Sequence, residues 1–498
     1  MSGEDTLEPR RRATGRKPRR GDLLEAELTG LDGRGRAVGR AEWTDGREVD
    51  VRVRGGVPGA RVRVDVFRRK GMRVEARIVE VLRTSPVAVE PRCEHVSTCG
   101  GCSFQNIDYA AQLAEKHRIL SGLLAPLGDH DVQPVLANGS AFGYRNKMDF
   151  TFGNRRWVEE GEPEGAERDF AVGLHVPGRY DKILDIRRCE IAFEAANPIL
   201  GTVRRLAREH DLDAWDVREH RGLLRHLVLR HGVRSGDILV DLVTTERAHD
   251  RIGPFVEELL AAHPEITTLV QRVDSGVALV ARGEEEVLFG PGYLRDSIGG
   301  IEFRVSAASF FQTNTVQAER LVELVLEDAA VREGMRVFDL YCGSGLFSLA
   351  LARAGAQVIG FELVEEAVAD ARENARRARI EGVEFVAGDL ARTLAPHAAR
   401  GEAPELCVVD PPRAGIHPST LAALRSLAPE RIVYVSCNPK SAVRDLILLL
   451  ADGYAFRRIQ PVDLFPHTPH LECVFTLVRR AGPRGPGPEG PGGIASRA

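Results

Sequence analysis

The chain has 498 residues, of which 43% are hydrophobic and 28% are charged, with a formal net charge of −4. This length predicts about three domains, and the charge balance excludes a uniformly basic nucleic-acid binder, so any such surface has to be local. Since no apolar run reaches membrane-spanning length and the start of the chain does not fit a secretory signal, we expect a cytoplasmic protein with no membrane partner.

Both ends of the chain differ in composition from the rest. Residues 1–20 are polar and carry seven Lys or Arg between Arg10 and Arg20. They predict a disordered basic arm, which either touches nucleic acid or is a plain solvated tail. Residues 481–498 contain ten Gly or Pro and predict a second disordered tail.

Residues 21–82 alternate apolar and polar side chains in short runs separated by Gly and Pro turns. This pattern predicts a small antiparallel barrel. Its outward positions are rich in arginine, which is typical of barrels that hold the RNA backbone, although a solvated charged face is the alternative. The stretches "GDLLEAELTGLDGRGRAVGR" and "VPGARVRVDVFRRKGMRVEARIVEVL" resemble a TRAM domain, an OB-like RNA-binding barrel. The outward arginines are Arg52, Arg54, Arg61, Arg63, Arg68, Arg69, Arg73 and Arg77.

The rest of the chain separates into two further regions. Residues 83–305 predict a mixed α+β domain, with strand-like runs at 144–152 and 237–245 and a helix after Pro254. Residues 306–480 alternate strands and helices, which predicts a doubly wound, Rossmann-like parallel sheet. In such sheets ligands bind beyond the carboxyl ends of the strands. The whole is therefore an α/β protein with an N-terminal barrel and a central α+β domain.

A nucleotide loop opens the C-terminal region. In "FDLYCGSG" (338–345) a strand ends in Asp-x-x-x-Gly-x-Gly, and glycines such as Gly343 let a nucleotide approach the backbone. The next strand ends in Glu362, placed to bind ribose hydroxyls, and the following one in Asp389, placed to reach an adenine edge. These spacings predict the S-adenosylmethionine site of a class I methyltransferase, because a dinucleotide site would more often show Gly-x-Gly-x-x-Gly.

A cysteine ends another apolar run. In "VYVSCNPKSAVRDL", Cys437 stands where a strand gives way to a loop. A thiolate that adds to carbon 6 of uracil turns carbon 5 into a nucleophile, and a base must later remove the proton from carbon 5. Glu472, flanked by His467 and His470, is the candidate base. A buried inert cysteine is the alternative for Cys437 alone. We interpret Cys342, Cys407 and Cys473 as buried, inert cysteines.

The fourth strand ends in "VVDPPRAGI" (408–416), with Asp410 at its carboxyl end. Methyltransferases that act on amino groups often carry an aromatic residue where this chain has Arg413. The arginine therefore argues against an exocyclic amine as the target.

Four motifs, "VSCNP", "DPPRAG", "FPHTPHLE" and "FFQTN", together resemble the bacterial uracil-C5 RNA methyltransferases, which make 5-methyluridine in tRNA and large-subunit ribosomal RNA. The resemblance covers residues 21–480 and implies that Cys437 is the nucleophile and Glu472 the base. One departure is Leu346, because many members carry Asn there, and this puts one cofactor contact in doubt. The resemblance also implies contacts to S-adenosylmethionine from Gln312, Tyr341, Glu362, Asp389 and Asp410.

The segment "CEHVSTCGGC" contains Cys93, Cys99 and Cys102, and Cys189 is the only other cysteine before the C-terminal region. Four thiolates can bind zinc or a 4Fe–4S cluster, and their spacing does not decide between them. The segment resembles the 4Fe–4S site of the same family's ribosomal RNA enzymes. That resemblance implies a cluster on these four cysteines and favours ribosomal RNA over tRNA.

We therefore expect a monomeric enzyme that methylates carbon 5 of a uridine in structured RNA, with 23S ribosomal RNA favoured and the target base flipped out towards Cys437. A tRNA uridine-C5 methyltransferase is one alternative. A second alternative is a methyltransferase for amino groups of a nucleobase or a protein, against which Arg413 and Cys437 argue. A third is an RNA-binding protein that kept the fold without activity, in whose favour Leu346 is the one feature.

Overall fold

The computed structural model describes residues 16–44, 46–159, 161–276 and 283–480. Most of the predicted basic arm and all of the predicted Gly/Pro tail therefore lie outside the described residues. Within the described ranges, no helix is both long enough and apolar enough to cross a membrane.

The predicted small barrel is present at the N-terminal end. Val49, Val51 and Val53 point inward and are buried, as the period of two predicts. One neighbouring pair, β3 (Glu48–Val53) with β5 (Arg73–Arg83), is parallel rather than antiparallel. The reason is that β5 lies between β3 and β4 in the closed barrel. The barrel closes in the order β1-β2-β3-β5-β4, from strands β1 (Leu23–Leu31), β2 (Ala37–Glu42), β3 (Glu48–Val53), β4 (Arg61–Lys70) and β5 (Arg73–Arg83).

The central region is built on an eight-stranded mixed sheet in the order β13-β12-β11-β10-β6-β8-β9-β7. Helices α2 (Ala196–Glu209) and α3 (His249–Ala262) pack on one face of it. The helix predicted after Pro254 is present as part of α3, but α3 begins earlier, at His249, and accommodates the proline at the loss of one intrahelical hydrogen bond. The strands are β6 (Lys147–Gly153), β7 (Arg156–Trp157), β8 (Ala171–His175), β9 (Ile183–Asp185), β10 (Leu224–His231), β11 (Ile238–Thr244), β12 (Thr268–Val273) and β13 (Glu284–Phe289).

The C-terminal region contains the predicted doubly wound sheet, in the order β18-β17-β16-β19-β20-β22-β21. The first five of these strands are parallel, and β22 runs antiparallel to both of its neighbours. The chain winds outward in both directions from β16, so the β16/β19 junction is a topological switch point, the position at which sheets of this kind bind ligands. The strands are β16 (Arg336–Leu340), β17 (Gln357–Glu362), β18 (Val383–Ala387), β19 (Leu406–Val409), β20 (Arg431–Ser436), β21 (Tyr454–Val462) and β22 (Glu472–Arg479).

Helices cover both faces of this sheet and bury two apolar layers, one around Val337 and one around Phe338. These two neighbours on β16 point to opposite faces, as successive residues of a strand do. The helices are α4 (Thr315–Ala329), α5 (Leu346–Arg353), α6 (Glu365–Ala378), α7 (Leu390–Ala399), α8 (Pro418–Leu427) and α9 (Pro439–Ala451).

Two segments from before residue 306 also pack on the C-terminal sheet. Helix α1 (Tyr109–Leu124) contributes Leu120 and Leu124 to one apolar layer. The hairpin of β14 (Tyr293–Ile298) and β15 (Ile301–Ser306) contributes to the other. The domain boundaries at residues 83 and 305 stay predictions, and the core of the C-terminal region draws on chain from before them.

Candidate active site

Two neighbouring strand ends bring Cys437 and Glu472 to the same place. Strand β20 ends at Ser436, Cys437 follows directly, and α9 begins at Pro439. In the antiparallel ladder Ser436 lies opposite Cys473, so that Glu472 begins β22 beside the cysteine. Cys437 is half-buried, whereas the side chain of Glu472 is buried with 5% exposure.

The pKa values of the acidic groups at this site are all raised. Burial raises the pKa of Glu472 to about 8, and Asp410 adds to the rise. Burial, with Asp339 adding, raises the pKa of Asp410 to about 7. Burial, followed by Glu472 and Asp410, raises the pKa of the Cys437 thiol to about 11. Arg413 opposes the rise at both Glu472 and Cys437, so it is the cation that favours ionisation here.

Arg413 is held in place by the loops around the cysteine. Its Nη2 lies 2.9 Å from Nδ1 of His470. Its carbonyl oxygen accepts hydrogen bonds from Asn438 Nδ2 at 2.8 Å and from Ser441 Oγ at 3.0 Å. The sequence identified Arg413 only as a departure from the amino-group enzymes. Its place between the cysteine loop and His470 is new from the structure.

The predicted cofactor loop follows β16 with an unusual backbone. Tyr341, Gly343 and Gly345 have φ values of 66°, 53° and 91°, in the left-handed region. The Gly343 amide donates to Glu362 Oε2 at 3.1 Å, which ties the loop to the end of β17. At Gly343 no other described heavy atom lies within 4 Å of an added Cβ, whereas at Gly345 a Cβ would lie 3.1 Å from Phe385. The loop is therefore open where a ligand would approach its backbone and closed where it packs.

The other predicted cofactor residues lie beyond the strand ends. Asp389 follows β18 and caps α7, where its carboxylate accepts from the Arg392 amide at 3.1 Å. Asp410 follows β19, at the switch point of the sheet. Gln312 lies in the loop before α4, and Asn146 Nδ2 donates to its carbonyl oxygen at 2.9 Å.

Leu346, the departure in the cofactor loop, is the first residue of α5 and packs against the apolar layer of Val337. Behind it, Ser348 Oγ donates to the fully buried Asp339 carboxylate at 2.5 Å, which fixes the start of α5 to β16. The turn before the helix therefore keeps its structure with leucine at this position.

The four predicted metal-ligating cysteines come together in one region, and all are half-buried. Burial, with Cys99 and Cys189 adding, raises the pKa of Cys93 to about 11. Burial outweighs a hydrogen bond from Gln105, and with the other three cysteines adding, the pKa of Cys102 rises to about 12. Burial also raises the pKa values of Cys99 and Cys189. The thiols are thus within electrostatic reach of each other, although no three His, Cys, Asp or Glu side chains of the described ranges form a group that could hold a metal ion.

A cavity of about 830 Å³ connects the barrel to Cys437. Acidic residues neutralise part of its basic lining: Arg36 pairs with Asp32 at 2.8 Å and with Glu75 at 3.0 Å. The basic lining comes from the barrel, from α1 and from the start of α9, and comprises Arg34, Arg36, Arg52, Arg68, Arg69, Lys70, Arg73, Lys116, Arg118 and Lys440.

Comparison with known proteins identifies relatives over nearly the whole chain. Residues 238–480 match the family model described as tRNA (uracil-5-)-methyltransferase. An uncharacterized RNA methyltransferase of Chlorobaculum tepidum is 39% identical over 93% of this chain and 97% of its own length. Another, from Caldanaerobacter subterraneus subsp. tengcongensis, is 38% identical over 92% of this chain and 99% of its own.

Among solved structures, the fold is similar to that of the Pyrococcus abyssi tRNA (uracil-54, C5)-methyltransferase in complex with S-adenosyl-L-homocysteine. The TM-score is 0.71 and the identity 27%, over 91% of this chain and 99% of that chain.

Proposed function

Since this chain belongs to the uracil-C5 RNA methyltransferase family, we propose that it transfers a methyl group from S-adenosylmethionine to carbon 5 of a uridine in structured RNA. The observation that carries the proposal is the pairing of Cys437 and Glu472 at neighbouring strand ends, beyond the edge of the sheet that also bears the cofactor loop. A thiol and a carboxyl side by side are the two groups that this reaction needs from the protein.

The proposed reaction proceeds through a covalent adduct. The Cys437 thiolate adds to carbon 6 of the uracil, and carbon 5 then attacks the methyl group of S-adenosylmethionine. The bond between that methyl group and the sulfonium sulfur breaks, and the rest of the cofactor leaves as S-adenosylhomocysteine. Glu472 then takes the proton from carbon 5. The electrons of that C–H bond restore the 5,6 double bond and expel the Cys437 thiolate.

Arg413 is the group that makes both ionisations accessible in this proposal. Because the Cys437 pKa is raised to about 11, the free thiol is a poor source of thiolate at neutral pH. The guanidinium lowers the pKa values of both Cys437 and Glu472. We assign it the role of stabilising whichever of the two groups is negative at each stage.

We propose that S-adenosylmethionine lies across the carboxyl ends of β16, β17, β18 and β19. In this arrangement the Gly343 backbone approaches the cofactor, and Glu362 binds its ribose hydroxyls. Support comes from the open space at Gly343 and from the hydrogen bond that the Gly343 amide donates to Glu362, which fixes that side chain to the loop. Tyr341, Gln312, Asp389 and Asp410 complete the proposed contacts.

We also propose that Cys93, Cys99, Cys102 and Cys189 hold a 4Fe–4S cluster. The chemistry of the donor set supports the proposal, because neighbouring cysteines add to the raised pKa values of Cys93 and Cys102, and a cation would be needed for these thiols to ionise together. The Gly101 amide already donates to Cys99 Sγ at 3.3 Å, as amides do around cluster sulfurs. When bound, such a cluster would cross-link the cysteine segment to the loop around Cys189 without taking part in the methyl transfer.

The basic cavity between the barrel and Cys437 supports RNA as the substrate, because cations along a groove hold a phosphate backbone. We place 23S ribosomal RNA first, since the cysteine segment resembles that of the ribosomal RNA enzymes. Transfer RNA is the second candidate, because the structurally similar Pyrococcus abyssi enzyme acts on a tRNA uracil and matches 91% of this chain.

The test incubates the purified protein and S-adenosylmethionine with unmodified RNA in three separate reactions, one with 23S ribosomal RNA, one with 16S ribosomal RNA and one with tRNA. Nucleoside mass spectrometry then identifies the methylated nucleoside in each. We expect 5-methyluridine in one RNA class. Methylation at a base amine, or at any position other than carbon 5, would contradict the proposal.

A further inference from the structure

Helix α1 buries two polar side chains on the stripe that faces the C-terminal sheet. Gln112 and Lys116 precede Leu120 and Leu124 at helical spacing, and these four residues form the buried face of the helix. Gln112 has 0% and Lys116 has 2% exposure. Polar groups so deeply buried need partners, and their partners show what the helix holds.

All partners of Lys116 across this interface lie in the loop between β21 and β22. Its Nζ donates to Asp463 Oδ1 at 2.6 Å and to the Phe465 carbonyl at 3.1 Å. On the same face of α1, Tyr109 Oη donates to the other oxygen of Asp463 at 3.0 Å. The start of the loop is therefore fixed through a charged group and a phenol.

Gln112 holds the middle of the same loop. Its Oε1 accepts from the His467 amide at 3.0 Å. Its Nε2 donates to the carbonyl oxygens of Phe104 at 3.0 Å and Ile107 at 2.8 Å. From the other side, the amides of Ser103 and Phe104 donate to the His467 carbonyl at 2.7 and 3.1 Å. Both backbone groups of His467 are thus fixed by the segment 103–112.

His467 has φ 65°, a left-handed conformation that a residue with a side chain rarely adopts. Such a conformation persists only where its surroundings over-determine it, and the bonds from Gln112, Ser103 and Phe104 do so here. The loop then runs through His470, which contacts Arg413, to Glu472. The turn at His467 therefore sets the path by which the chain enters β22.

We propose that Gln112 is a positioning residue for Glu472: it fixes the left-handed turn at His467 and, through it, the place from which the Glu472 carboxyl reaches carbon 5 of the base. This role rests on the proposed function. Ser103 directly follows Cys102, so the hydrogen bond from the Ser103 amide to the His467 carbonyl also ties the cysteine segment to the loop between β21 and β22. Gln112 touches no reacting atom in this account.

The test uses a single turnover with S-adenosylmethionine carrying a labelled methyl group and the RNA that the wild type methylates. It measures separately the rate at which label enters RNA bound covalently to protein and the rate at which labelled RNA is released. The variant is Gln112→Met, which keeps the length of the side chain but removes its hydrogen bonds. We expect release to slow about 10²-fold, the effect of a small misplacement of a reacting group, while methyl transfer slows less than tenfold.

Two further variants separate positioning from general damage. Leu124→Ala removes a buried apolar side chain from the same face of α1 but no hydrogen bond to the loop, so both steps should slow equally or not at all. His467→Gly removes the imidazole and its 3.1 Å contact with Gln112 Nε2, but it keeps the backbone hydrogen bonds and tolerates the positive φ. Because the backbone turn carries the positioning role, release should stay within a fewfold of the wild type.

Equal slowing of both steps in Gln112→Met, or unchanged release, would overturn the positioning role. Slow release in a folded His467→Gly would also overturn it, because the imidazole rather than the turn would then matter. If the wild type forms no 5-methyluridine in any RNA, the proposed function fails, and this inference fails with it.

Discussion

Glu472 begins β22 beside the strand end that carries Cys437, and its carboxyl is one of the groups that raise the pKa of the Cys437 thiol to about 11. The two groups therefore disfavour each other's ionisation. In the proposed reaction this mutual effect has a use. The Cys437 thiolate is consumed when it adds to the uracil, before the Glu472 carboxylate is needed. When Glu472 has taken the proton from carbon 5, its negative charge is gone and no longer opposes the departing Cys437 thiolate.

The first prediction concerns the nucleophile. Cys437→Ala should abolish both 5-methyluridine formation and covalent attachment of RNA, because the thiol that is proposed to add to carbon 6 is then missing. Cys407→Ala is the matched control, since Cys407 is fully buried in an apolar layer and its pKa is raised by burial. Incorporation of labelled methyl groups into RNA is measured for both variants. Residual methylation at carbon 5 in Cys437→Ala would refute the covalent route.

The second prediction concerns pH. Glu472 acts as a base only when deprotonated, and burial raises its pKa to about 8. Release of a preformed adduct should therefore quicken about tenfold per pH unit up to roughly pH 8 and level off above it. Rapid-quench measurements from pH 6 upward, on adduct formed at one fixed pH, test this. A release rate that does not change with pH would exclude Glu472 as the base.

The third prediction concerns Arg413. Its guanidinium lowers the pKa values of both Cys437 and Glu472, so Arg413→Gln should raise both and move the pH–rate profile to higher pH. The variant should regain part of its activity in alkaline buffer. Arg425→Gln, which removes an arginine that pairs with Asp452 near the end of α8, should leave the profile in place. A uniform loss at every pH would mean that Arg413 acts through contacts rather than through charge.

The fourth prediction concerns stability. Lys116→Met leaves the buried Asp463 carboxylate without its cation, which should lower the free energy of unfolding by about 3–5 kcal/mol. Arg40→Met removes one partner of an exposed pair with Glu48, and should cost at most about 1 kcal/mol. Urea unfolding of both variants measures the difference. A similar small loss in both would show that the Lys116 pair contributes little to the fold.

Much of the arrangement of the candidate site follows from local sequence. The strand that ends just before Cys437 and the strand that begins with Glu472 could both be predicted, because an apolar run with a turn signal marks the end of a strand. The rule that sites form at the carboxyl ends of parallel strands then predicts a position beyond the end of β20 for Cys437, and Cys437 follows that strand directly. The N-terminal barrel was predictable for the same reason, since alternation along a strand is a local signal.

What the sequence could not predict depends on contacts between distant parts of the chain. Lys116 and Asp463 lie 347 residues apart, and no local pattern connects them. A signal existed in α1, where Gln112 and Lys116 occupy the positions of an apolar stripe, which indicates buried polar groups with fixed partners. The parallel pairing of β3 with β5 is likewise set by closure of the barrel and not by the strands themselves.

The most direct test of the whole account is the Glu472→Gln variant with S-adenosylmethionine and the substrate RNA, analysed by mass spectrometry of the digested protein. We expect the peptide with Cys437 to carry a 5-methylated uridine nucleotide through its sulfur, because methyl transfer proceeds but the proton stays on carbon 5. Such an adduct would establish the nucleophile, the methylated carbon and the base together. Normal turnover of Glu472→Gln, or an adduct on another residue, would contradict the account.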